Sequence, residues 1–148
     1  MEIIIREVEI KDYPALLSLW NNELGFNYVT IDNIAPHYNR VKDDARYKTY
    51  VALLKEEVVG FVSSAQTYAV GYDGSSMQII ALAVKTDKQN QGIGSQLIRR
   101  MESYAIEENC YCIGLCSGFK RADAHAFYER KGFEKGSYAF VKMLNPVE

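Results

Sequence analysis

Apolar residues change their spacing several times along the chain, and each change marks an element. Ile3-Ile4-Ile5-Arg6-Glu7-Val8 is a short apolar run that reads as a first strand. Asp12 then stands as a helix cap, with Pro14 in the first turn and Ala15, Leu16, Leu19 and Trp20 along one face. Thr30 is placed to cap a second helix running to about Arg40, in which Pro36 predicts a break or kink. Tyr50–Leu54 and Val58–Val62 form a hairpin of two apolar strands around a turn at Lys55-Glu56-Glu57. A loop holding Gly71, Asp73 and Gly74 leads to Met77–Val84, which is apolar nearly throughout and belongs at the centre of a sheet.

From Gly92 to Glu108 the period becomes helical. Ile93, Leu97, Ile98, Met101, Tyr104 and Ala105 recur on one face, with Gln96, Arg99, Arg100 and Glu102 outside. Cys112–Cys116 reads as a short buried strand. A further helix runs from about Ala122 to Lys131 and is ended by Gly132, and Tyr138–Met143 makes a last strand. The order β-α-α-β-β-β-α-β-α-β predicts an α/β fold in which helices pack on the faces of a mixed sheet.

With 148 residues the chain suits one domain around one core, spanning 1–148. A formal net charge of −2 without any polybasic run argues against a nucleic-acid partner. The mild acidity suits a cationic small substrate slightly better than an anionic one. The apolar run at the N-terminus is too short for a signal peptide, and no stretch approaches a membrane span. Cys110, Cys112 and Cys116 fit no usual zinc or disulfide spacing. Buried or half-buried free thiols, no metal site and a reducing cytoplasm are therefore expected.

Gln89-Asn90-Gln91-Gly92-Ile93-Gly94-Ser95 joins the central strand to the long helix. The first amides of a helix have no internal partner, and the helix dipole adds partial positive charge beside them. A strand-turn-helix junction of small residues can thus cradle an anion without a basic side chain. Glycine inside a helix costs up to about 1 kcal/mol against alanine, so two of them around Ile93 suggest a need for bare backbone. On spacing alone, a flexible glycine-rich helix start explains the segment equally well. The segment contains neither G-x-G-x-x-G nor a G-K-[ST] loop, which disfavours a dinucleotide or nucleoside triphosphate.

Taken with its context, V-K-T-D-K-Q-N-Q-G-I-G-S-Q-L-I (Val84 to Ile98) resembles motif A of the GNAT family of N-acetyltransferases, with Gln89, Gly92 and Gly94 at its three defining positions. Downstream, S-G-F-K-R-A-D-A-H-A-F-Y-E-R-K-G-F (Ser117 to Phe133) is similar to the family's motif B, A-x-x-F-Y-E-x-x-G-F. The two motifs cover roughly the last half of the chain, and the first half matches only in element order. The resemblance implies a mixed, mostly antiparallel sheet with helices on both faces, splayed between strands four and five. It also implies acetyl-CoA as co-substrate. The pyrophosphate would sit on the amides of Gln91, Gly92, Ile93, Gly94 and Ser95, with Gln89 and Asn90 shaping the approach. The pantetheine arm would hydrogen-bond along Leu82, Ala83 and Val84 as an added strand does, and Ser117, Arg121 and Tyr128 would line the other wall.

Within the resemblance, Tyr128 is the catalytic residue, as general acid or hydrogen-bond donor to the departing thiolate; the alternative is a half-buried tyrosine beside Phe127. A backbone N–H near Ala83 would stabilise the oxyanion. The base departs from the family pattern, because Gln78 and Ile80 stand where many relatives carry a glutamate. Glu23, Asp32 and a water chain remain open. Arg121 replaces an asparagine of several relatives and either reaches a phosphate or stays solvated. His125 is either a proton carrier or a packing residue. Tyr28, Tyr38, Tyr47 and Tyr50 suit core and interface better than a cage for a cationic amine. The activity so implied is acetyl transfer to a primary amine of a small molecule by direct attack, in the cytoplasm, with a homodimer in keeping with family habit. Peptide or protein amines and a non-catalytic acyl-CoA sensor are the alternatives.

Overall fold

The computed structural model describes residues 2–26, 28–68 and 73–145, so Gly71 of the expected loop lies outside the described residues. The chain forms two compact units, Met1–Leu115 and Cys116–Glu148. The first contains a five-stranded sheet in the order β1 (Ile3–Glu7), β2 (Tyr47–Leu54), β3 (Glu57–Tyr68), β4 (Ser75–Val84), β5 (Cys110–Leu115). All neighbours are antiparallel except β4 and β5, as a mixed, mostly antiparallel sheet requires.

Side chains of alternate strand residues point to opposite faces. Val51, Leu53, Phe61, Ala81 and Ala83 pack against Tyr13, Leu16, Leu19 and Ile34 of α1 (Tyr13–Asn22) and α2 (Ile31–Val41). The intervening Tyr50 and Gly60 face α3 (Ile93–Glu107): Tyr50 meets the Tyr104 ring at 6.3 Å, and Ile93 and Leu97 lie over Gly60. A Cβ on Gly60 would stand 3.0 Å from the Ala83 carbonyl, 3.3 Å from Leu97 and 3.4 Å from Ile93. Glycine here lets the first turn of α3 lie close on the sheet.

Asp12 is not the side-chain cap of α1 that the sequence suggests. Its carboxylate is buried and takes two bonds from Arg6, at 2.7 and 2.9 Å, and one from the Glu9 amide at 2.8 Å. Burial by itself raises its pKa, but the Arg6 hydrogen bonds and charge with the Glu9 amide outweigh it, so the group titrates below the usual carboxylate range. The β2–β3 turn is narrower than expected. Lys55 and Glu56 alone make it, both with positive φ, and Glu57 already belongs to β3. Pro36 does not break α2: Thr30 and Asn33 form a capping box, and Pro36 is exposed, so water can serve the carbonyl that loses its helical partner.

β5 is an edge strand and only half-buried, not buried as its apolar run suggests. The three cysteines are free, but only Cys110 is half-buried; Cys112 and Cys116 are exposed, contrary to expectation. The second unit holds α4 (Ala122–Arg130), closed by Gly132 at φ +92. Tyr138–Met143 forms no strand. A strand exists only with a ladder partner, and this unit's described residues hold no other strand. Its alternating apolar residues stay exposed, Phe140 at 95%.

Adding side chains at Gly60 should destabilise the fold progressively, with Gly60→Ala costing about 1–3 kcal/mol and Gly60→Val more, measured by urea denaturation. Asp12→Asn should cost about 1–3 kcal/mol at neutral pH. Because the folded pKa of Asp12 is depressed, that contribution is present above the unfolded value and disappears as pH falls through the folded one. The gap between wild type and variant should therefore close on acidification below about pH 4, in denaturation curves taken across that range.

Candidate active site

Two irregularities meet on β4. Its parallel pairing with β5 ends at Ile79↔Leu115, yet β4 continues to Val84. On its other side the register with β3 steps from Ser64↔Ile79 to Ser63↔Ala81, so Ile80 has no partner and forms a β-bulge. Beyond this point, among the described residues of the first unit, β4 has no strand on its β5 side, as a splay between strands four and five requires.

The register says which main-chain groups face the opening. The Lys85 amide donates to the Val59 carbonyl at 2.8 Å, and hydrogen-bonded pairs alternate along an antiparallel ladder. Ala83 therefore exchanges bonds with Phe61, whereas Leu82 and Val84 turn their N–H and C=O groups outward. Of the three strand residues singled out from the sequence, Leu82 and Val84 line the open edge. The Ala83 amide is directed at β3, so a donor for an oxyanion at this level has to come from a neighbour. The Val84 carbonyl accepts from Gln89 Nε2 at 3.0 Å.

The chain then turns tightly into α3. Lys85 Nζ pairs with Glu57 at 2.7 Å, and a single 3-10 turn spans Thr86–Lys88. Asn90 and Gly92 have positive φ, +63 and +84. A Cβ on Gly92 would meet nothing within 4 Å, so the left-handed backbone demands glycine while the space before it stays open. No side chain caps α3, and its first bond to the preceding turn is Gln96 N–H to the Gly92 carbonyl at 3.1 Å. Among the described residues no protein acceptor meets the amides of Gln91, Gly92, Ile93, Gly94 or Ser95. These donors, the open space at Gly92 and the free edge of Leu82 fit a ligand with a diphosphate and an extended, amide-bearing arm.

In the second unit, Ser117 Oγ is buried without a partner. Arg121 is exposed at the N-cap of α4, and its amide donates to the Gly118 carbonyl at 3.1 Å. His125 Nε2 lies 2.8 Å from that same carbonyl, so the ring ties the preceding loop to α4. Tyr128 is half-buried, with Phe127 at 5.4 Å and Phe133 at 5.8 Å. Burial raises its hydroxyl above the ordinary value, opposed by the Arg121 charge.

Of the base candidates, Glu23 is already bound: Thr86 N–H and Oγ donate to its two oxygens at 3.1 and 2.7 Å. Asp32 is exposed in the first turn of α2. The four tyrosines make no cage, since Tyr50 is buried toward α3 beneath Arg100 at 4.5 Å while Tyr38 stacks on Tyr13 across the sheet at 5.2 Å. Sequence reasoning missed two contributors, Gly60 and the Glu23–Thr86 contact. A glycine inside an apolar strand is itself a signal of close backbone approach, whereas the Glu23 contact left none. Among the described residues no cluster of His, Cys, Asp and Glu is placed to hold a metal, and no helix is long and apolar enough to cross a membrane.

The acetyltransferase (GNAT) family model matches residues 13–133. An aminoalkylphosphonate N-acetyltransferase of Salmonella typhimurium is 30% identical over 89% of this chain and 82% of its own. Among solved structures, a transcriptional regulator from Bacillus halodurans superposes with a TM-score of 0.86 at 27% identity, over 96% of this chain and 99% of that one. An AAC(6')-Iy structure in complex with a bisubstrate analogue, CoA-S-monomethyl-acetylneamine, superposes at 0.85 with 13% identity, over 99% and 100%.

Gly92→Glu places a carboxylate before the free amides and a side chain on a left-handed backbone. The fold should lose only about 1–2 kcal/mol, while coenzyme A binding, followed by isothermal titration, should vanish.

Proposed function

The chain belongs to the GNAT family of acetyltransferases, and from that premise we propose that it transfers the acetyl group of acetyl-CoA to a primary amine of a small molecule, by direct attack in a ternary complex. The observation that carries this reading is the continuity of the outward main chain of Leu82 and Val84 with the unpaired amides of Gln91–Ser95. One run of backbone thereby offers both an edge for pantetheine and a seat for pyrophosphate. Gln89 supports the seat by holding the Val84 carbonyl, and Asn90 supplies the left-handed residue before it. By the resemblance of their segment to the family's motif B, Ser117 and Arg121 are taken as coenzyme contacts in this reading.

A small acceptor is favoured by the relative that acts on aminoalkylphosphonates. An alkylamine with a pKa near 10.4 must lose a proton before attack, at a cost of about 4–5 kcal/mol at pH 7. Gln78 and Ile80 cannot take it, and Glu23 is engaged by Thr86, which leaves the exposed Asp32 and water as routes for the proton. Tyr128 serves the other end of the reaction. A phenol near pKa 10 is a weaker acid than a thiol near 8.5 by about 2 kcal/mol, and burial widens the gap. Tyr128 therefore donates a hydrogen bond to the leaving sulfur and keeps its own proton. A cytoplasmic setting keeps the three thiols reduced, and the whole chain acts as one acetyltransferase domain.

The absent strand carboxylate favours one second reading, a module that binds acyl-CoA without turnover. A thiol-release assay over a panel of small amines separates the two, since binding with no release on any amine would favour the sensor. In the enzyme, Tyr128→Phe should lower kcat by about tenfold to a thousandfold with coenzyme affinity nearly intact. Because burial raises the Tyr128 hydroxyl above its ordinary value, any alkaline fall in the wild-type pH–rate profile attributable to it should lie at higher pH than for an ordinary tyrosine. Unchanged turnover in the variant would remove Tyr128 from the chemistry.

A further inference from the structure

The turn that leads into the diphosphate seat has no foothold in the core, since none of residues 85–91 is buried. Its conformation therefore rests on polar ties, and several of these reach the sheet. The Lys85 amide donates to the Val59 carbonyl, Lys85 Nζ pairs with Glu57 of β3, and Gln89 Nε2 donates to the Val84 carbonyl of β4. Glu23 supplies a tie from the helical layer. It stands at the C-cap of α1, where its amide donates to the Leu19 carbonyl at 2.9 Å. Leu16 and Leu19 are buried in the core that α1 shares with Phe61 and Ala83, so the Glu23 side chain starts from a fixed point.

Thr86 meets that carboxylate with both of its donors, N–H to Oε1 at 3.1 Å and Oγ–H to Oε2 at 2.7 Å. Thr86 opens the 3-10 turn, and the preceding Lys85 gives that turn no side-chain cap. The acceptor for its first amide comes instead from 63 positions earlier in the chain. Bonds to a charged acceptor are about twice as strong as neutral ones, and two of them define a direction as well as a distance. The start of α3 is set independently, by the packing of Ile93 and Leu97 over Gly60. Between that packing and the Thr86 anchor lie Asn90 and Gly92, both left-handed, with Gln91 between them. Where Thr86 stands decides where these residues can stand.

We propose that Glu23 is a positioning residue for the coenzyme, whose clasp on Thr86 holds the turn in the bend that aims the amides of Gln91 and Gly92 at the diphosphate. This rests on the coenzyme reading above. By charge alone, a carboxylate near such a seat opposes an anionic ligand. Its favourable action is therefore geometric. A seat already in its bound shape binds more tightly, because less ordering remains to be done when the ligand arrives.

The test is isothermal titration with coenzyme A, beside urea denaturation of the same proteins. Glu23→Ala should raise the Kd by about five- to thirtyfold. Glu23→Gln keeps an oxygen for the Thr86 amide and an N–H for its hydroxyl oxygen, and loses the charge; it should bind within about twofold of wild type or more tightly. Thr86→Val removes the hydroxyl and keeps the amide. It should weaken binding in wild type and do so less in the Glu23→Ala background, because the two side chains act as one contact. An unchanged or lower Kd in Glu23→Ala, with or without a loss of stability, would overturn the positioning role and leave the coenzyme site standing. So would a Glu23→Gln protein as weak as Glu23→Ala, or additive effects of the Glu23 and Thr86 changes. Absence of coenzyme A binding in wild type would overturn the coenzyme reading and the positioning role with it.

Discussion

A strand that loses its neighbour halfway along must do something with its main chain. β4 is paired on both sides as far as Ile79 and on one side from there to Val84. The bulge at Ile80 sits at that transition, where it sharpens the local twist as bulges do. Unpaired strand edges are exposed to adventitious pairing, and proteins usually cover or blunt them. Here the exposed groups are few, Leu82 and Val84, and one of them is already taken by Gln89. The opening is short enough to be specific and long enough to receive an extended ligand.

The position of α3 follows from the same region. Its first turn rests on β3 because Gly60 offers no side chain, and a methyl group there would press on the Ala83 carbonyl of the very strand that forms the edge. The edge and the uncapped helix start are therefore held together by one packing contact, and a change in either is felt by the other. Glu57, Glu23 and Gln89 add three side-chain ties to the turn between them. The segment from Lys85 to Gln91 is short and mostly exposed, and these ties hold it.

Much of this was legible in the sequence. The switch from an apolar run to a helical period placed β4 and α3 within a residue or two, and the two glycines marked the seat between them. What escaped depends on partners far away in the chain. Asp12 looked like a cap because its local pattern fits one, but Arg6 across the β1–α1 junction claims it. Tyr138–Met143 has the alternation of a strand and no ladder beside it in its own unit. The bulge at Ile80 was invisible because the run around it is apolar throughout, so a flip of faces changes no pattern. Glu23 stands among the candidate bases on sequence alone because nothing local announces a threonine 63 positions on.

A seat made of main-chain donors has a consequence for how the protein behaves in brine and in evolution. Lysine and arginine clusters hold phosphates by charge, and dissolved ions screen such holds over distances of about 8–10 Å at ordinary ionic strength. Peptide dipoles in direct contact act below that range and carry no side chain to be mutated. An anion held on such donors would outlast salt levels that strip it from a basic patch, and residues 91 and 95 are free to drift so long as the backbone keeps its bend, whereas Ile93 is fixed by its packing over Gly60.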